Sequence, residues 1–131
     1  MRIRKLMKLQ VFIAVTLLSV VTAGTTTFAS SQLLFDSKEG IGIEVYCSDP
    51  NAKGDIEDNY TSVSGGTLWT TWRNGTTFRA NYKHSSKEHR CTALNADGGI
   101  SRSAWTSKGN TARSSFIPQT PVRNRCFAST R

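Results

Sequence analysis

From residue 40 to the C-terminus, no window of this chain carries a sustained 3.6-residue apolar period, which excludes amphipathic helices from that stretch. Period-2 alternation stands in its place. Ile41, Ile43, Val45 and Cys47 alternate with Gly42, Glu44 and Tyr46, the pattern of a half-buried strand. Further strands are expected over 67–73, 76–83, 90–95, 99–105, 111–117 and 122–127. Asn74-Gly75, Asp97-Gly98-Gly99 and Gly109-Asn110 lie between them and supply the positive φ that tight turns demand. Residues 49–59 read as a polar loop and 117–121 as a Pro-stiffened connector. Short strands at this spacing predict an all-β fold, a small antiparallel β-sandwich or barrel.

The N-terminus is of another kind. Arg2, Arg4, Lys5 and Lys8 form a basic region ahead of an apolar run from Leu9 to Ala23. Thr27-Phe28-Ala29 then meets the small-residue rule for cleavage. Residues 1–29 are therefore read as a cleaved signal helix, with Ala23 as the second cleavage position, and the product as secreted. The competing reading is an uncleaved anchor. Against it, Thr25, Thr26, Thr27, Ser30, Ser31 and Gln32 dilute the second half of the span, and insertion needs about 20 predominantly apolar residues.

Without residues 1–29 the chain has 13 basic and 9 acidic side chains, net +4. Only 16 of its 102 residues are Leu, Ile, Val or Phe, a thin supply for a core. Three Trp and three Tyr enlarge it, since each buries a large area. Charge divides sharply: residues 30–60 carry net −5 and residues 61–131 net +9. The expected organisation is a signal (1–29), an acidic leader segment (30–60) and a basic β-sandwich domain (61–131). The plainer alternative is charge balance within one fold.

Catalytic and metal signatures are weak. The loop from Asp49 to Glu57 has alternating oxygens about a Gly, yet Lys53 sits at a ligand position and Tyr60 where a bidentate Glu is needed for calcium. His84, His89 and Cys91 lack the fourth ligand of a structural zinc site. As a nucleophile pair they lack an orienting third group. No enzyme, cofactor or metal is expected. Cys47, Cys91 and Cys126 allow one internal disulfide in an exported chain, by any of three pairings, with Cys91–Cys126 slightly favoured.

Residues 65–115 interleave aromatics with cations: Trp69, Trp72, Arg73, Phe78, Arg79, Tyr82, Lys83, His84, Lys87, His89 and Arg90. Such a β surface suits phosphate-bearing envelope material, with flat amphipathic contact from the rings and charge from the cations. An exported protein meets nucleic acid only incidentally, so none is expected as partner. The bland alternative is that Trp69, Trp72 and Trp105 are core.

Three motifs in this stretch resemble those of the lactococcin 972 family of bacteriocins. Gly65-Gly66-Thr67-Leu68-Trp69 is similar to that family's Gly-Gly-x-x-Trp start. Residues Asn81, Tyr82, His84, Lys87 and His89 match its Asn-Tyr-x-His-x-x-Lys-x-His signature. Trp105, Gly109, Ala112 and Ser114 match its closing element. The resemblance spans about half of the mature chain. It departs from the family where Arg79 and Lys83 replace favoured aromatics, and in the three cysteines, residues 30–60 and the tail 118–131.

What the resemblance implies is an exported antibacterial β-sandwich, often a homodimer, that binds lipid II and blocks septum synthesis without forming pores. A membrane immunity and transport system is expected beside its gene. The expected ligand-binding residues are Tyr82, His84, Lys87 and His89, with Asn81 positioning the loop and Trp69, Trp105 and Lys108 in support. Below about pH 6.5, His84 and His89 are expected to add charge to phosphate capture.

Overall fold

The computed structural model describes Gln32 to Arg131; the expected signal helix and both cleavage positions lie outside the described residues. Ten strands run β1 (Leu34–Asp36), β2 (Gly40–Glu44), β3 (Asp55–Val63), β4 (Gly66–Arg73), β5 (Thr77–Lys83), β6 (His89–Leu94), β7 (Ile100–Arg102), β8 (Thr111–Arg113), β9 (Ile117–Pro118) and β10 (Arg125–Thr130). Every pairing is antiparallel. Sheet I has the order β1-β2-β10-β6-β7; sheet II has the order β3-β4-β5-β8, with β9 also pairing to β5. This is the expected all-β sandwich, and the described residues hold no helix long and apolar enough to cross a membrane.

Side chains alternate between faces along each strand. Sheet II turns Leu68, Trp72, Phe78, Tyr82 and Ala112 inward, while sheet I answers with Ile43, Cys91, Ala93, Cys126 and Ala128. Large aromatics on one sheet thus meet small residues on the other, which lets few aliphatic side chains fill the space at close packing. Trp72 and Phe78 pack with ring centroids 5.0 Å apart.

Three sequence expectations change. The expected acidic leader 30–60 is, over its described residues 32–60, no separate segment: these supply β1 and β2 to sheet I and most of β3 to sheet II. Their acids pair with the basic half, Glu39 with Arg102 and Asp55 with Arg73. The charge split is therefore balance within one fold. Second, the polar loop ends at Gly54, because Asp55 begins the nine-residue strand β3. Third, no disulfide forms, and all three cysteines are free thiols. Cys91 pairs opposite Ala128 and Cys126 opposite Ala93, so the two sit diagonally across β6 and β10. Their sulfurs serve other groups: Cys91 Sγ donates to the Ala80 carbonyl at 3.3 Å, and Cys126 Sγ lies 3.9 Å from Thr70 Oγ1.

Strand ends also shift. The expected 99–105 strand shortens to β7, 111–117 splits into β8 and β9, and 122–127 moves to 125–130. Arg123 at φ 61 and the Thr120–Asn124 side-chain bonds hold residues 120–124 as a turn instead.

Candidate anion-binding surfaces

The eight expected site residues separate into a buried group and a surface group. Asn81, Tyr82, His84 and His89 are between 0% and 4% exposed, so they have no surface to offer a ligand. The Tyr82 hydroxyl donates to the Val63 carbonyl at 2.6 Å, and burial raises its pKa. His84 Nδ1 accepts the Ser86 and Lys87 N–H groups, both at 3.1 Å. Its other nitrogen therefore carries the proton and donates to the Ser64 carbonyl at 3.0 Å. The two ring nitrogens of His89 each lie 2.8 Å from a carbonyl oxygen, those of Lys87 and Asn110. The rings of Tyr82, His84 and His89 pack on one another with centroids 5.6 to 6.2 Å apart. Together they join the β3–β4 turn, the β5–β6 loop and the loop before β8. This corrects the expectation that the histidines present charge to a ligand: their ring nitrogens are engaged by the backbone.

Lys87 and Lys108 are exposed on those same loops, and Trp69 and Trp105 are half-exposed. Only Trp72 of the three tryptophans is core. Trp69 and Trp105 do not share a surface.

Trp69 stands on the outer face of sheet II. A bulge places its companion: the β3–β4 register shifts between Asp58 and Thr61, with Asn59 at φ 57. The extra residue turns Tyr60 outward onto Trp69 and returns Val63 to the core. The Tyr60 and Trp69 rings stack at 5.6 Å and 12°. Glu57 fixes the indole, accepting Trp69 Nε1 at 2.9 Å and Thr71 Oγ1 at 2.7 Å. Asn81 Nδ2 in turn donates to Thr71 Oγ1 at 2.9 Å. In register, Trp69, Asn81 and Arg113 form one row across β4, β5 and β8. Arg79 and Lys83 flank Asn81 on the same face of β5. Among the described residues, neither these two nor Arg113 makes a salt bridge, whereas Arg73 is held by Asp55 at 2.9 Å. That pair lowers the Asp55 pKa, chiefly through the Arg73 hydrogen bond. Arg73 and Arg79 also lie over Phe116, at 3.9 and 4.7 Å from its centroid.

Trp105 lies after β7, one residue before the Thr106 bridge to His89 of β6 in sheet I. Its ring is flanked by the guanidinium groups of Arg90 at 4.7 Å and Arg131 at 4.2 Å. Arg131 is paired with Glu88, and Arg90 reaches the Lys38 carbonyl at 3.3 Å.

Tyr60, Glu57, Arg113 and Arg131 also stand on these surfaces, although no sequence pattern singles them out. A bulge places Tyr60, and the bond from Arg131 N–H to the Glu88 carbonyl, just past β10, places Arg131; neither leaves a local signal. No group of three or more His, Cys, Asp or Glu capable of holding a metal occurs among the described residues. Comparison with protein-family models, with curated proteins and with solved structures found no match to this chain.

Proposed function

We propose that this chain is a secreted antibacterial protein of the bacteriocin type, which binds an anionic cell-wall precursor such as lipid II and so blocks septum and wall synthesis. The observation that carries the reading is the outer face of sheet II, where Arg79, Lys83 and Arg113 make no salt bridge among the described residues and stand beside the Tyr60–Trp69 stack. Guanidinium groups there offer charge-assisted hydrogen bonds to a pyrophosphate, and the rings offer flat amphipathic contact to what it carries. Lys87 and Lys108 add cations at the loop end of the sandwich. The resemblance of the three sequence motifs to the lactococcin 972 bacteriocins supports the same reading, and with it come a homodimer and a membrane immunity and transport system encoded nearby.

The test is binding to phosphatidylcholine vesicles with and without lipid II. The wild type is expected to bind only the lipid II vesicles and to keep binding as salt rises. Arg79→Gln with Arg113→Gln removes two charge-assisted contacts, so affinity is expected to fall about tenfold or more. Septation arrest of sensitive cells should weaken in parallel. Binding that collapses with salt and does not distinguish lipid II from other polyanions would identify a nonspecific envelope-surface protein instead.

A further inference from the structure

We infer that the protein is bivalent: it has two anion-binding surfaces on opposite faces of the sandwich and bridges two membrane-held anionic ligands. The inference rests on the reading of these surfaces as anion-binding and goes beyond it, because that reading needs only one.

Strand parity puts the two surfaces on opposite sides. On β5, Ala80 and Tyr82 are core, so Arg79 and Lys83 point away from sheet I. Ala112 on β8 is core, so Arg113 points the same way. On β6, Cys91 Sγ reaches across to the Ala80 and Ala112 carbonyls of sheet II. Arg90 next to it therefore points outward from sheet I, and the Trp105 ring lies against its guanidinium. On β10, Cys126 and Ala128 are core. By the same alternation Ser129 and Arg131 lie on the outer side, and the Arg131 guanidinium lies 4.2 Å from the Trp105 ring centroid. Each side of the sandwich thus carries one partly exposed tryptophan with guanidinium groups beside it. The two surfaces differ in their partners: Tyr60 and Glu57 fix Trp69, while Trp105 lies against Arg90 and Arg131. Arg131 is also paired with Glu88, so that Arg90 is the cation there that makes no salt bridge among the described residues.

The two sheets alone separate these surfaces by about 10 Å, roughly a Debye length at 0.1 M salt. The outward side chains add to that distance, so an anion on one face only weakly repels an anion on the other. A rigid block with a ligand surface on each side joins two membranes, or two membrane-anchored precursors, without a flexible linker.

The experiment uses phosphatidylcholine vesicles carrying lipid II, with vesicle sedimentation reporting binding and turbidity reporting bridging. Wild-type protein is expected to sediment with the vesicles and to cluster them. With lipid II in large excess, so that weakened binding still registers, Arg79→Gln/Arg113→Gln and Arg90→Gln/Arg131→Gln should each still sediment through the remaining face and each fail to cluster. Wild-type sedimentation without clustering, or clustering that survives loss of either face, overturns bivalence and leaves the proposed function standing. No sedimentation of the wild type overturns both. Arg131→Gln alone, at an exposed residue, is expected to cut clustering several-fold without altering the thermal melt. This separates loss of a surface from loss of the fold.

Discussion

A Cβ placed on Gly66 lies 2.6 Å from the Tyr82 hydroxyl and 2.5 Å from the Lys83 carbonyl, so no other residue fits there without moving β5. Its neighbour Gly65 holds φ at +84 with its Cβ direction toward His84 Nε2. The Gly-Gly start and the Asn-Tyr-x-His segment, apart in sequence, are therefore one joint in space. The consequence is a division of labour among adjacent residues. Tyr82→Phe keeps the ring but leaves the buried Val63 carbonyl without its donor, and is expected to cost about 1–3 kcal/mol. His84→Ala removes an acceptor of two N–H groups and should cost at least as much. Lys87→Ala, exposed, should lie within about 0.5 kcal/mol of wild type while weakening ligand binding. Urea unfolding of the three variants beside vesicle binding checks this; a Lys87 variant as unstable as the His84 variant would refute it.

Strands carry the next level. β3 reads as loop because Asp55-Ile56-Glu57-Asp58-Asn59-Tyr60 is mostly polar, yet its bulge makes each residue useful. Asn59 Oδ1 accepts the buried Trp72 Nε1 at 3.1 Å, and Glu57 and Tyr60 hold Trp69 outside. Sheet I is tied by a second polar device. Glu39, buried in the β1–β2 turn, accepts Arg102 Nε of β7 at 2.8 Å and Thr92 Oγ1 of β6 at 2.8 Å. The Arg102 hydrogen bonds, aided by Thr92 and opposed by burial, hold the Glu39 carboxyl below its ordinary pKa of 4.5. A carboxyl whose pKa is lowered by folding contributes stability above its ordinary value and loses it as pH falls through the folded one. The melting temperature should therefore stay level from about pH 7 to pH 5 and drop as pH falls below 4.5. Glu39→Gln should be less stable at neutral pH and show a shallower acid fall. An unchanged acid slope in that variant would place the acid sensitivity elsewhere.

The closed sandwich sets the chemistry of the thiols. Burial pushes the Cys91 thiol up to about 11 and the Cys126 thiol higher still, so neither forms the reactive thiolate near neutral pH. Cys47 differs: it is partly exposed and lines a cleft of about 330 Å³ with Trp72, Thr120 and Asn124. A maleimide is expected to label one thiol per native chain near pH 8 and three after denaturation without reductant. One thiol after denaturation would mean a Cys91–Cys126 bridge. Much of this molecule is legible in its residue order. Strand positions from residue 66 to residue 95 follow from alternation, and Asn74 and Gly75 turn at positive φ where their chemistry demands it. Aromatics beside cations are visible too, because interleaving is a local property. Placement is another matter. Whether a tryptophan is core or surface, whether a histidine meets solvent or three backbone segments, and whether an acidic stretch leads or belongs all depend on register and sheet membership. Those are contacts between residues far apart in the chain, such as Glu39 with Arg102 and Glu57 with Trp69, and no local pattern encodes them. Trp69 and Trp105 show the difference: alike in sequence context, they were sent to opposite faces by the strands beside them.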